Sequence, residues 1–265
     1  MPMTQSATAP TVAASNRPLK IIGAHGSHDI VHRVLAQREP CKILDIPAGT
    51  GVLGEFLLER GWDVHAADID PGLFKLEDVP FERVDLNRRL PHDDASFDAI
   101  ACVNGLHRLF NPGGAVKELY RILRPGGTLY VNVQNYGSIR RRLRFMLYGS
   151  FDFGPSGSGG NTQTVDDPES RVRQPLAYAQ LADMLVAAGF DIADVQTADV
   201  RRGDRLLTPL AWLIRAARAV LPMEPPAYHH LEQPFIRAVL PGAEYMFVEA
   251  VKPASASSAS STPLS

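Results

Sequence analysis

Apolar positions along this chain fall into short unbroken runs that alternate with stretches of helical period. The run from Cys41 to Ile46 follows Pro40 and predicts a buried parallel strand. Glycines turn the chain at Gly49 and Gly51, where a missing Cβ lets the backbone bend sharply and sit close to a ligand. From Val52 the spacing of Leu53, Phe56, Leu57 and Arg60 predicts a helix that Gly61 ends. Further strands are predicted at Trp62–Asp68, Phe81–Asp85, Phe97–Asn104 and Thr128–Val133. The long apolar run of Phe97–Asn104 suits a central strand covered on both faces. Pro71 to Lys75 reads as a short helix or turn, and Asn87 to Ser96 as polar turns. Pro112 to Leu123 predicts a helix with Ala115, Val116, Leu119 and Ile122 on one face, and Pro125-Gly126-Gly127 a tight turn after it. Upstream, Ile30, Val31, Val34 and Leu35 predict a helix over Ser27–Arg38, with Ser27 as a candidate N-cap and Asp29 in the first turn. Strands alternating with helices predict an α/β fold, a parallel sheet with helices on both faces.

The C-terminal half is less regular. Tyr136 to Tyr148 sets Arg140, Arg141, Arg142 and Arg144 beside Leu143, Phe145, Met146 and Leu147, which predicts an amphipathic helix. Ser150 to Asp167, rich in Gly and Ser, reads as a mobile loop. Pro175 to Ala188 predicts a helix closed by Gly189, and Phe190 to Val200 contains a strand. Thr208 is a candidate N-cap with Pro209 behind it, and Leu210, Leu213, Ile214, Ala217 and Leu221 line one helix face up to Pro222. A proline-rich link, Pro222 to Pro226, follows, and Glu244 to Val251 predicts a last strand. Residues 1–18 and 253–265 have the composition of disordered tails. One domain is therefore expected over 19–252, with a lid and mobile loop at 135–175 and a helical insertion at 201–242.

Charge narrows the function. Lys and Arg number 27 against 29 Asp and Glu, and a net charge of −2 argues against a dedicated nucleic-acid binder. The two cysteines, Cys41 and Cys102, fall in predicted buried strands and read as core residues of a protein in a reducing, cytoplasmic compartment. No apolar run approaches the roughly 20 residues of a membrane span, and the N-terminal stretch lacks the pattern of a secretory signal. His25, His28 and His32 near the first helix suggest a metal. No cysteine or carboxylate pair completes a ligand set there, so they read as pocket or helix-surface histidines and no metal is expected.

Candidate chemistry centres on the glycine turn. Gly49 to Gly54 fits G-x-G-x-x-G, and Asp68 follows at about the spacing of a ribose-binding acid, as in a dinucleotide fold. Against that reading, Asp45 stands at the strand end and Ile46-Pro47-Ala48 separate it from the glycines. A fixed carboxylate repels a pyrophosphate and suits a cationic or amino-bearing ligand. Asp85, at the end of the third predicted strand, is a further acid able to accept a hydrogen bond from an exocyclic amine.

Asp45, the glycines, Asp68 and Asp85 together resemble the class I S-adenosylmethionine-dependent methyltransferases, of the type 11 kind, over roughly Ile43 to Val133. Supporting pieces are Asp85-Leu86-Asn87, Leu90-Pro91, Asp94 to Ile100 and Arg121 to Leu129. The resemblance implies a doubly wound, Rossmann-like sheet of seven strands, mostly parallel, with an antiparallel last strand at Glu244–Val251. It implies S-adenosyl-L-methionine as cofactor. The amino-acid part would lie along Asp45, Pro47, Ala48, Gly49 and Gly51, and the ribose on Asp68 beside Ile69. The adenine amine would meet Asp85, with Leu86 flanking the ring and Asn104 closing the site after the fourth strand. Two positions depart from the family pattern. Pro47 replaces the usual first glycine, which removes an N–H donor, and His107 stands where an acid is common.

The implied reaction is methyl transfer to a small-molecule, glycan or lipid-linked acceptor over the C-terminal edge of the sheet. His107 is the candidate base for a hydroxyl acceptor, or else a helix-start residue packed against the cofactor. Tyr136, Arg140 and Arg144 are candidate acceptor contacts. The arginines read either as partners for an anionic acceptor or peripheral membrane surface, or as a solvated helix face. The alternatives are a cofactor-binding regulatory protein without catalysis and an NAD(P)-dependent oxidoreductase. The sequence leaves the oligomeric state open.

Overall fold

In the computed structural model, residue 19 and residues 27–149, 175–197, 204–220 and 244–254 are described. The expected N-terminal tail, His25, the loop Ser150–Asp167, the Pro222–Pro226 link and the tail beyond Ala254 lie outside them. Seven strands share one sheet. They are β1 (Lys42–Asp45), β2 (Asp63–Asp68), β3 (Phe81–Arg83), β4 (Phe97–Val103), β5 (Leu123–Gln134), β6 (Asp191–Thr197) and β7 (Tyr245–Val251). Their spatial order is β3-β2-β1-β4-β5-β7-β6. Pairings from β3 through β5 are parallel, and β7 runs antiparallel to both neighbours. The mostly parallel sheet with an antiparallel last strand is therefore observed.

Alternate residues of the central strands feed two cores. On one face Leu44, Ile100, Cys102, Leu129 and Val131 pack with the helices α3 (Pro112–Ile122) and α5 (Tyr178–Ala188). On the other, Ile43, Val64, Ala99, Ala101 and Tyr130 meet α1 (Ser27–Leu35) and α2 (Val52–Leu58). Two-sided burial explains why the fourth run is apolar without alternation. Each large aliphatic side chain so buried contributes about 1.5–3 kcal/mol. A third, small cluster joins α4 (Ile139–Tyr148) to α6 (Thr208–Val220) through Ile139, Leu143, Leu207, Leu210 and Ala211.

Several boundaries differ from the sequence expectation for identifiable reasons. β3 stops at Arg83 because its partner β2 ends at Asp68; Val84 N–H closes the pairing on Asp68 O at 2.9 Å. Asp85 thus lies past the strand. Pro71–Lys75, expected as a short helix or turn, is a turn held by Asp70, whose Oδ1 accepts from Gly72 N–H at 3.0 Å. Pro125-Gly126-Gly127 is an irregular joint inside β5, where pairing with β4 jumps from Phe97↔Leu123 to Ala99↔Thr128. Gly127 is required there, since a Cβ would stand 2.7 Å from Asp98 O. α5 begins at Tyr178, three residues later than the spacing predicts, because Gln180 Oε1 accepts the Ala177 N–H at 3.0 Å and caps the helix.

The sheet order places β1 between β2 and β4, so the chain leaves β1 toward one side and returns on the other. Crevices at such a reversal, outside the C-terminal strand ends, are where open α/β sheets hold ligands. Asp45, Asp68 and Val103 end the three strands at this point.

Candidate functional site

The glycine loop is anchored on both flanking strands. Ile46 N–H donates to Ala101 O of β4 at 2.9 Å, and Ala48 N–H to Ala67 O of β2 at 2.9 Å. Gly49 (φ 54) and Gly51 (φ 91) are left-handed, and Gly51 opens α2. A Cβ on Gly49 would meet nothing, so the loop is open on that side. One on Gly51 would press on Leu76 and Phe74, which close the other side.

Asp45 is 1% exposed, and its Oδ2 accepts no hydrogen bond. Burial raises its carboxyl well above the ordinary range, and the charge of Asp68 raises it further. A buried carboxylate oxygen without a donor is costly, and a proton or a cationic ligand relieves that cost. Asp68, the last residue of β2, has Oδ2 accepting Gly49 N–H at 2.8 Å and Oδ1 accepting Asp70 N–H at 3.0 Å. It therefore fastens the loop to β2, and each oxygen keeps a lone pair for a further donor.

Asp85 follows one residue after the Val84–Asp68 bond and turns the chain. Its Oδ1 accepts from Asn87 N–H at 2.9 Å and Asn87 Nδ2 at 3.1 Å. Asn87 Oδ1 in turn accepts Phe110 N–H at 2.8 Å, ahead of α3. Asn87 is thus a positioning residue, where the sequence showed it only as part of the Asp85-Leu86-Asn87 resemblance and as the start of a polar turn. The Asp-x-Asn pattern of a side chain bonding its backbone two residues on was the available signal.

After β4, Asn104 adopts φ 56, its N–H donates to Asn132 O at 2.9 Å, and its Oδ1 is buried with no partner. Gly105 touches the loop: a Cβ there would stand 2.5 Å from Pro47 Cδ. On β5, Asn132 is fully buried. Its Nδ2 donates to Ser27 O at 2.6 Å, while its Oδ1 has no hydrogen bond. Asp45, Asn104 and Asn132 thus leave unmatched acceptors near the ends of three adjacent strands, an acceptor set that fits an amino-bearing ligand.

The other predicted residues are placed as follows. Pro47 and Ala48 lie in the loop. Ile69 is exposed beside Asp68. The Leu86 side chain is buried in the core cluster that also holds Leu90 and Leu106. His107 is buried in the 3-10 turn Leu106–Arg108. Tyr136 is buried, its hydroxyl donating to Gln134 Oε1 at 2.6 Å, with the Arg141 guanidinium over its ring. Arg141 also pairs with Glu244 at 3.7 Å, a role the sequence did not separate from those of its neighbours. Arg140 and Arg144 are exposed on α4. The structure joins Asp45, Pro47–Gly51, Asp68, Asp85 and Asn104 in one region and leaves Arg140 and Arg144 on the outer surface.

His28 and His32 stand one turn apart on α1. His32 stacks on Phe56 at 4.0 Å, and Arg60 covers the opposite side of that ring at 3.7 Å. Among the described residues no three His, Cys, Asp or Glu side chains gather as a metal would need. No described helix is long and apolar enough to cross a membrane.

Comparison with known proteins agrees with this geometry. Residues 44–131 match the family described as "Methyltransferase domain", a segment that holds Asp45, the glycine loop, Asp68, Asp85 and Asn104 and stops just before Asn132. The chain is 37% identical over 95 residues to a demethylmenaquinone methyltransferase of Paenarthrobacter aurescens, covering 34% of this chain and 37% of that one. It is 32% identical over 115 residues to a ubiquinone biosynthesis O-methyltransferase of Xylella fastidiosa, covering 40% and 45%. The chain thus spans less than half the length of these curated relatives. A solved SAM dependent methyltransferase from Archaeoglobus fulgidus superposes with a TM-score of 0.55 at 15% identity, covering 85% of this chain and 92% of that one. That likeness shows the fold.

Proposed function

We propose that this protein transfers a methyl group from S-adenosylmethionine to a small-molecule acceptor. The observation that carries the reading is the set of carboxylates Asp45, Asp68 and Asp85 beyond three adjacent parallel strands, around a glycine loop. Bound S-adenosylmethionine supplies an activated methyl on a sulfonium. The loop Pro47–Gly51 holds the amino-acid end, and the ammonium brings Asp45 the cation it lacks. Asp68 takes the ribose hydroxyls on its remaining lone pairs. Asp85, held by Asn87, accepts from the adenine amine.

Displacement at the methyl is in line, so the protein has mainly to align the acceptor and exclude water. Acceptors reach the C-terminal edge beside Asn104. For a hydroxyl acceptor, His107 is the proposed proton acceptor. The named relatives concern quinone biosynthesis, which supports a small aromatic or lipid-linked acceptor. Their similarity covers the donor half alone, so the acceptor is argued from this chain's own surface.

Calorimetric titration with S-adenosylmethionine, S-adenosylhomocysteine and NAD tests the donor. The two sulfur cofactors should bind and NAD should not; the reverse would overturn the reading. Asp85→Ala should weaken S-adenosylmethionine about tenfold through loss of one hydrogen bond. His107→Gln should lower kcat about 100-fold with cofactor affinity kept. An unchanged kcat would assign His107 to packing.

A further inference from the structure

We infer that α4 and α6 together form a docking face for an anionic lipid surface. Amphipathic helices of a folded domain bury their apolar side, and here part of it points outward. The last turn of α4 exposes Phe145 at 45%, Met146 at 72%, Leu147 at 71% and Tyr148 at 74%. The 3-10 turn Asp204–Leu207 and α6 expose Leu206 at 83%, Trp212 at 63% and Leu213 at 64%. Leu206, Pro209, Leu213 and Ala216 follow one another at helical spacing along the exposed side. Meanwhile Leu207, Leu210 and Ala211 turn inward against Ile139 and Leu143. The two helices thus share an inner seam and leave large apolar side chains exposed at the end of α4 and along the outer side of α6, as interaction sites do.

Charge selects the occupant. The α4 sequence carries Arg140, Arg142 and Arg144 besides Arg141, which pairs with Glu244, and no acid, and the sequence of the second unit adds Arg205, Arg215 and Arg218 against Asp204 alone. This basic region belongs to a chain whose net charge is −2. Apolar side chains, a tryptophan and flanking arginines are the composition of helices that lie in the plane of an anionic bilayer. Neither helix is long enough to cross one. A second copy of the chain fits less well, because a two-fold pairing would set the arginines of one α4 against those of the other. The face adjoins the C-terminal edge of the sheet: α4 follows β5 within a few residues, and Asn135 N–H donates to Glu244 O at 2.8 Å. Docking would therefore turn the acceptor side toward the lipid. The inference stands apart from the methyl-transfer reading, since binding to lipid needs neither cofactor nor turnover.

The two tryptophans supply the test, because Trp62 is 4% exposed in the core and Trp212 is 63% exposed on the face. The full chain is mixed with vesicles of phosphatidylcholine alone or with about one third phosphatidylglycerol, at about 0.1 M salt. With the anionic vesicles the chain should co-sediment, and its fluorescence should shift to the blue; added salt should weaken both. Trp212→Phe should remove the shift. Met146→Asp with Leu213→Asp should lower co-sedimentation about tenfold or more, with melting temperature and S-adenosylmethionine affinity unchanged. Equal behaviour with both vesicles, no binding to either, or no effect of the double substitution would overturn the inference. Self-association that the double substitution abolishes, without vesicle binding, would assign the face to a second copy instead.

Discussion

Asp45 is the residue on which the site's electrostatics turn. Burial and the neighbouring Asp68 keep its proton on above the ordinary 3.8. The folded state therefore binds more protons than the unfolded chain once pH exceeds that value, and stability falls as pH rises through the window above it. A ligand ammonium favours the ionised form, so cofactor binding should expel a proton there. Calorimetry in two buffers of different ionisation enthalpy reads this directly. Heats that do not depend on the buffer would count against it. Asp45→Asn should abolish the proton release, weaken the cofactor about 10- to 100-fold, and raise the melting temperature at neutral pH. His28 carries the opposite sign. Burial, with the charge of His32 behind it, lowers its pKa from 6.5 to about 4 against the pull of Asp29. The folded state then binds fewer protons between these values, so stability is undiminished above pH 6.5 and declines as pH falls toward about 4. His28→Gln should flatten the melting-temperature profile across that window; an unaltered slope would rule the residue out.

At the scale of elements, the loop after β1 and the turn after β4 are one fitted pair. The ring of Pro47 is met by Gly105, where a Cβ would stand 2.5 Å from Cδ and 3.0 Å from Cys102 Sγ. Gly105→Ala should destabilise the protein by about 1–3 kcal/mol by overpacking. Adding Pro47→Gly should recover part of that loss, with a coupling of about 0.5–2 kcal/mol in urea denaturation. Additive losses would mean the two do not share the contact. The strand-loop-helix unit was legible in the sequence because each residue's part is local: an apolar run, an acid, then glycines. The Pro47–Gly105 fit was not, because the sequence marks a small residue without saying what approaches it. Leu86 makes the same point. Its place after Asp85 could be read, but not that its side chain joins the core cluster that α3 also packs into.

For the whole molecule, Arg121 shows how one side chain ties distant segments. Its guanidinium donates to Leu90 O at 3.0 Å, His92 O at 2.9 Å, Asp94 Oδ1 at 2.6 Å and Glu118 Oε2 at 2.9 Å. It thereby pins the segment between Asp85 and β4 onto α3. Arg121→Lys keeps the charge and loses the planar fork, so about 1–3 kcal/mol of stability should go, read as a lower urea midpoint. Glu118, held below its usual pKa first by the Arg121 hydrogen bond, should lose its share of stability as pH falls below 4.5. An unchanged midpoint would show that the network is replaceable by water. The sequence by itself determined the alternation of strands and helices, the acids at the strand ends and the glycine turn, because periodicity and backbone freedom are properties of neighbouring residues. It also held the cationic, apolar character of α4 and α6, though not which sides face out. Only the tertiary structure decided that β7 lies between β5 and β6, that Asn87 reaches Phe110, and that Phe145–Tyr148 and Leu213 are left outside. These depend on which surfaces find partners across the fold, and burial is a property of the assembled chain rather than of any segment of it.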